Sequence, residues 1–251
     1  MNFRQKIRSC LEFCLIVGLI LVIGYCGYKL APNLINKLKS DTELTAIAEI
    51  IDKDSLKKAF TQKSYDALKQ ENEDFIGYLE FDSGIISLPV MQADDNNYYL
   101  RKSFYKEYNE EGIPFMDASC TLDSTNIIIY GHNVYYDDSA MFSPLSFLTE
   151  QDKFEESQTF SFYLDGEIRT YQITNVYEID IYSSNFDFQK TDFADEEEFL
   201  SWYQTPINKN LIKTNEKLEY GDNFITFQTC KRFFQNSRIL VVAKEIGRTS
   251  Y

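Results

Sequence analysis

The sequence predicts a mostly-β domain, a closed or nearly closed antiparallel barrel, behind an apolar N-terminal segment and a pair of helices. Three observations carry that expectation: an uncharged apolar run from Phe13, helical spacing of apolar residues between Asp41 and Glu73, and, after Phe75, short runs of Ile, Val, Phe and Tyr separated by turn-formers. With 251 residues and 44% apolar composition, the chain buries one sizeable core and its length demands no second globular domain.

The first element is Phe13 to Tyr28, 16 residues without a charge, preceded by Arg4, Lys6 and Arg8 and bounded by Glu12 and Lys29. It falls just short of the ~17–25 residues that usually span a bilayer, and the two flanking charges extend it by reaching to the interfaces. Cations ahead of the run place the N-terminus in the cytoplasm and the following domain outside the cell. A cleaved signal peptide is the competing reading. Gly27-Tyr28-Lys29-Leu30-Ala31-Pro32 is a poor cleavage site, however, and Tyr25 is too large to precede a lipid-bearing Cys26. The expected segments are a basic N-terminus at 1–12, a transmembrane anchor at 13–30, a linker with helices at 31–74 and the main domain at 75–251.

Within 31–74, Leu44, Ile47, Ala48 and Ile51, then Leu56, Ala59 and Phe60, recur at helical intervals. Two helices are therefore expected, the second capped by Asp54 or Ser55. The strand candidates follow: Ile76–Phe81, Ile85–Met91, Asn126–Tyr130, Phe160–Leu164, Arg169–Ile181, Phe224–Thr229 and Arg238–Ile246. Asp82-Ser83-Gly84 and Asp165-Gly166 are hairpin signals. A helical insertion, Asp195 to Tyr203, precedes the strand that ends in a cysteine.

The chain carries 25 Lys and Arg against 39 Asp and Glu, a net charge of -14, which argues against nucleic acid as a partner. Residues 1–40 hold a net +5 and the remaining 211 a net -19, a basic membrane-proximal end followed by an acidic domain. The five cysteines, Cys10, Cys14, Cys26, Cys120 and Cys230, are odd in number and show no repeated CxxC spacing. Neither a zinc site nor a disulfide framework is indicated, and one His among scattered acids has no recognisable ligand spacing, so no metal or organic cofactor is expected.

Cys230 and the single histidine, His132, each close a β-forming run, and Arg238 opens the next. Taken singly, each has an ordinary structural explanation. Together, a thiol nucleophile, an imidazole to exchange protons with it and a fixed cation for developing negative charge form a complete acyl-transfer set. Lys231 and Arg232 beside Cys230 favour a thiolate, whereas an apolar barrel wall opposes it. Cys120 has none of this setting and reads as structural. Residue types leave open whether the acyl group passes to water or to an amine.

The segment Tyr130-Gly131-His132-Asn133 with the following Met141-Phe142-Ser143-Pro144-Leu145 resembles the class B sortases. Asp95 to Leu100, Gly112 to Asp117, the helix before the cysteine strand, and Thr229-Cys230 with Arg238 are further points of likeness. The resemblance covers Glu43 to Ile246. It implies an eight-stranded sortase β-barrel with two N-terminal helices, in a cysteine transpeptidase that cleaves a sorting signal after Thr and passes the acyl group to an amine of the cell wall or a pilin. It casts His132 as general acid/base, Cys230 as nucleophile, Arg238 as oxyanion or substrate stabiliser, Thr229 as a substrate-carbonyl contact and Asn96 as a groove residue. Implied partners are surface proteins or pilins with a C-terminal sorting motif. Gln228 departs from the pattern, standing where Ser is common. A hydrolytic cysteine peptidase and a non-catalytic membrane-tethered binding domain are the alternatives.

Overall fold

The computed structural model describes residues 3–54, 60–232 and 234–251. They divide after Lys39 into two compact units. Helix α1 (Phe3–Asp54) contains the whole of the first, and from Leu11 it is long and apolar enough to cross a membrane, with its apolar window exposed. The expected anchor and the first expected helix are thus one continuous element. Helix α2 (Gln62–Glu71) is the second, and its cap is Thr61, whose side chain accepts from Ser64 N. Asp54 instead ends α1, while Ser55, Leu56 and Ala59 lie outside the described residues. Local spacing identified helix without showing where one helix hands over to the next.

The barrel is built from β1 (Phe75–Phe81), β2 (Ser87–Met91), β3 (Phe115–Met116), β4 (Asn126–Tyr130), β5 (Thr159–Tyr163), β6 (Glu167–Asp180), β7 (Phe224–Lys231) and β8 (Phe234–Ser250). A short α3 (Gln151–Glu155) precedes β5, and α4 (Glu196–Lys209) precedes β7. The strands close in the order β1-β2-β3-β4-β7-β8-β6-β5, with β5 pairing back onto β1. Turns at Gly84 and Gly166, both at positive φ, join β1 to β2 and β5 to β6 as their sequence signals predict.

Two pairings correct the expectation of an antiparallel barrel: β2 with β3, and β4 with β7, run parallel. Strand β7 reaches β4 only after a long excursion through β5, β6 and α4, so it returns in the same direction, as a crossover connection requires. One consequence governs the site. The carboxyl ends of β4 and β7 emerge side by side at one rim of the barrel.

Side-chain alternation fixes what each strand presents there. Phe227 points into the core, with ring centroids 5.0 Å from Phe160 and 5.4 Å from Phe142. Phe160 in turn stacks on Phe81 and Tyr171. Each such ring stabilises the fold by about 1.5–3 kcal/mol through burial, which holds β7 in register. Gln228 and Cys230 therefore take the opposite face, beneath the segment 181–195 that links β6 to α4. Helix α4 opens with Asp195 accepting from Glu198 N, as an N-cap does, and packs Phe199, Trp202 and Tyr203 against Tyr177, Phe224 and Leu240.

Candidate active site

Strand β4 pairs with β7 through Tyr130 opposite Gln228, and the Gly131 N–H donates to Gln228 O at 3.2 Å, one step beyond the end of β4. Continuing that parallel register sets His132 level with Cys230. On the other side of β7, Cys230 pairs with Arg238 across the antiparallel ladder to β8. Three neighbouring strands thus deliver an imidazole, a thiol and a guanidinium, with the thiol in the middle. All three line one cavity of about 290 Å³, together with Asn96, Leu100, Tyr130, Phe188, Gln189 and Thr229. Arg238 is the fifth residue of β8, which starts at Phe234; the turn is tighter than the sequence suggests, and a register shift after Cys230 absorbs the extra residues.

His132 Nε2–H donates to Leu100 O at 2.9 Å, since a carbonyl oxygen only accepts. The neutral ring therefore leaves Nδ1 as its base. Burial lowers the His132 pKa below its ordinary 6.5, and the positive charges of Arg101 and Arg238 act in the same direction, against the Leu100 carbonyl. A ring kept neutral above pH 6.5 favours the fold there, and that contribution is lost as pH falls through the lowered pKa. Because His132 is the chain's only histidine, its ring protons titrate without overlap in an NMR spectrum. The expected midpoint lies below 6.5 and moves up in Arg238→Gln, which removes one of the opposing charges. An unchanged midpoint in that variant would show that Arg238 does not reach the ring.

The two cations beside Cys230 do not stand free as thiolate-stabilising charges. Lys231 donates to Glu178 at 2.5 Å, and Arg232 pairs with Asp138. Thr229 also lines the cavity, but its side chain alternates to the Phe227 face, where its buried Oγ1 has no hydrogen-bond partner. Asn96 also lines the cavity, but its amide is engaged, donating to Asp117 Oδ2 at 2.8 Å and accepting from Ala118 N. Cys120 is buried away from the cavity, receives Ile128 N–H at 3.4 Å, and has its pKa pushed up to about 11 by burial. Its structural reading fits that placement.

Several contacts at the site escaped sequence reasoning. Gln228 Nε2 donates to Phe188 O at 2.7 Å, and Gln189 Nε2 to the Tyr130 hydroxyl at 2.8 Å, which ties the segment 181–195 over the cavity. Tyr130 in turn donates to Asp117 Oδ2 at 2.6 Å. Asp117 accepts enough hydrogen bonds from Ser119, Tyr130 and Asn96 to stay below the usual carboxylate range despite its burial. Gln189 lies in no β-forming run, whereas Tyr130, Asp117 and Gln228 are visible only as members of such runs or of the family likeness, Gln228 also as the residue standing where Ser is common.

The family model for the sortase domain matches residues 82–246. The chain is 27% identical to Sortase B of Listeria monocytogenes over 97% of its own length and all of that protein's. Among solved structures, it superposes on sortase B of Clostridium perfringens with a TM-score of 0.66 and 31% identity, covering 73% of this chain and 100% of that one. It shares its fold with sortase B of Staphylococcus aureus at a TM-score of 0.73 and 24% identity, over 83% and 98% of the two chains. The family match spans more than half the chain and the solved relatives share its barrel: this protein belongs to the sortase family of cysteine transpeptidases, as a class B sortase.

Proposed function

We propose that the protein is a membrane-anchored extracytoplasmic sortase that cleaves a sorting signal after Thr and joins the new carboxyl end to an amine of the cell wall or a pilin. The observation that carries this reading is the meeting around one cavity of His132, just past the end of β4, with Cys230 on β7 and Arg238 on β8. In this reading residues 13–30 form the anchor, 1–12 face the cytoplasm, 31–74 link the anchor to the barrel, and 75–251 work outside the cell.

The Cys230 sulfur attacks the Thr carbonyl carbon while its proton passes to His132 Nδ1. The oxygen of the tetrahedral intermediate gathers negative charge beside the Arg238 guanidinium. The C–N bond then breaks, the leaving amine takes the proton from His132, and a thioester remains on Cys230. An incoming amine attacks that thioester and gives its proton to Nδ1. The C–S bond breaks, and the thiol recovers the proton. Neutral His132 with Nε2–H held by Leu100 suits this exchange, because the free nitrogen is the one available to the thiol.

The full chain in detergent micelles, mixed with a panel of Pro-x-Thr peptides and either triglycine or diaminopimelate, is read by mass spectrometry. Cleavage after Thr with an amine adduct is the expected result. Free acid as the sole product in excess amine would replace the reading with a hydrolytic peptidase. No product with any peptide, with Cys230 also inert to thiol reagents, would favour a binding domain.

A further inference from the structure

The β4–β7 ladder ends at the Gly131–Gln228 bond, before it reaches the two groups that must meet. Beyond that point β7 runs on towards the turn into β8 and the β4 chain into the segment 133–142, with no further ladder bond between them among the described residues. Something else must keep His132 level with Cys230.

Side chains take over where the ladder stops. Asn133, next to the histidine, donates through Nδ2 to Cys230 O at 2.9 Å and to Ser146 Oγ at 2.6 Å. Arg232, two residues past the cysteine, donates through Nε to Asn133 Oδ1 at 2.9 Å, through Nη2 to Val134 O at 2.8 Å, and through Nη1 to Asp138. Every polar atom of the Asn133 amide is engaged, and three directions of the guanidinium are committed to one segment. A planar five-donor fork can do this, whereas a point charge cannot. The histidine end of the segment is also pinned from within, since Phe142 N donates to His132 O at 2.9 Å and Val134 N to Ser143 Oγ at 2.8 Å.

We infer that Arg232 is a positioning residue for the reaction: with Asn133 it continues the β4–β7 ladder through side chains and holds His132 level with Cys230. The inference rests on the proposed pairing of His132 with Cys230. Its action is geometric rather than electrostatic, because Asp138 already matches the Arg232 charge. Displacement of reacting groups by about 1 Å costs roughly 100-fold in rate, so a clamp two residues from the nucleophile has leverage without touching substrate.

The test needs no substrate. Iodoacetamide alkylation of the full chain in micelles is followed from pH 5 to 10 by mass spectrometry of the Cys230 peptide, so the other cysteines do not contribute. His132→Ala defines the profile of an unassisted thiol. Arg232→Ala and Asn133→Ala are expected to fall roughly 10-fold or more in alkylation below pH 8 and to approach the His132→Ala profile. Arg232→Lys should fall with them. Lys231→Gln, which removes an equally near cation but no part of the clamp, should superimpose on the parent. A role confined to stability would lower the melting temperature and leave the profile in place.

Arg232→Ala coinciding with the parent would overturn the inference. So would Lys231→Gln shifting as far as Arg232→Ala, since charge alone would then account for both. If Arg232→Ala does not fold, Asn133→Ala and Arg232→Lys decide by the same comparison. A His132→Ala profile identical to the parent would instead remove the His132–Cys230 pairing itself, and with it the clamp.

Discussion

Replacing Cys230 by Ala abolishes transfer, with a loss of at least about 10⁴-fold in rate, while the domain melts within about 3 °C of the parent. The two halves of this expectation have separate causes. Without the sulfur no thioester forms, and neither Arg238 nor His132 supplies a second nucleophile. Stability is nearly untouched because Cys230 sits half-exposed at the cavity and pairs with Arg238 through its backbone. The register of β7 is held by Phe227 and its ring contacts. The measurement is peptide turnover by mass spectrometry beside a circular-dichroism melt. Residual transfer above one part in about a thousand would show that another group attacks the substrate.

Gly131→Ala is expected to damage both activity and stability, and for one reason. A Cβ at Gly131 would lie 2.5 Å from two ring atoms of Phe142, closer than real contacts allow. Phe142 is fully buried and packs edge-on against Phe227, so the ring has nowhere to retreat. Overpacking of this kind costs about 1–3 kcal/mol. The damage reaches the site because the Phe142 N–H holds the His132 carbonyl, so a displaced ring pulls directly on the imidazole's backbone. Turnover should drop roughly 100-fold, with a melting point lowered by several degrees. The same contact gives the sequence pair Tyr-Gly-His and Met-Phe its physical meaning: Gly131 leaves room for the ring that steadies His132. A variant of full activity and unchanged melting would show that Phe142 is free to move.

Strand β4 was legible to the residue because an Ile-rich run bounded by turn-formers has one plausible structure. Strand β3 was not, since two residues carry no period. The reactive residue types were visible at run ends, with Arg238 opening the run that follows the one Cys230 closes. What the sequence hid was long-range. Nothing in Asn126–Tyr130 or Phe224–Lys231 says that they pair in parallel, and that pairing sets His132 beside Cys230. The charges next to the thiol were visible, but Glu178 and Asp138, which neutralise them, lie 53 and 94 residues away. Sequence proximity therefore overstated the cationic character of the site.

The closed strand order has a further consequence, in time rather than space. Hairpin β7–β8 occupies the gap between β4 and β6, and it is the last barrel segment to be synthesised. Until it arrives, β4 and β6 are open edges, prone to pairing with any other strand. Non-local closure of this kind is slow because the entropy of a long loop must be lost before contacts compensate. The same hairpin carries the thiol, so the nucleophile meets its histidine only in the event that seals the barrel, and a half-made chain holds no working site.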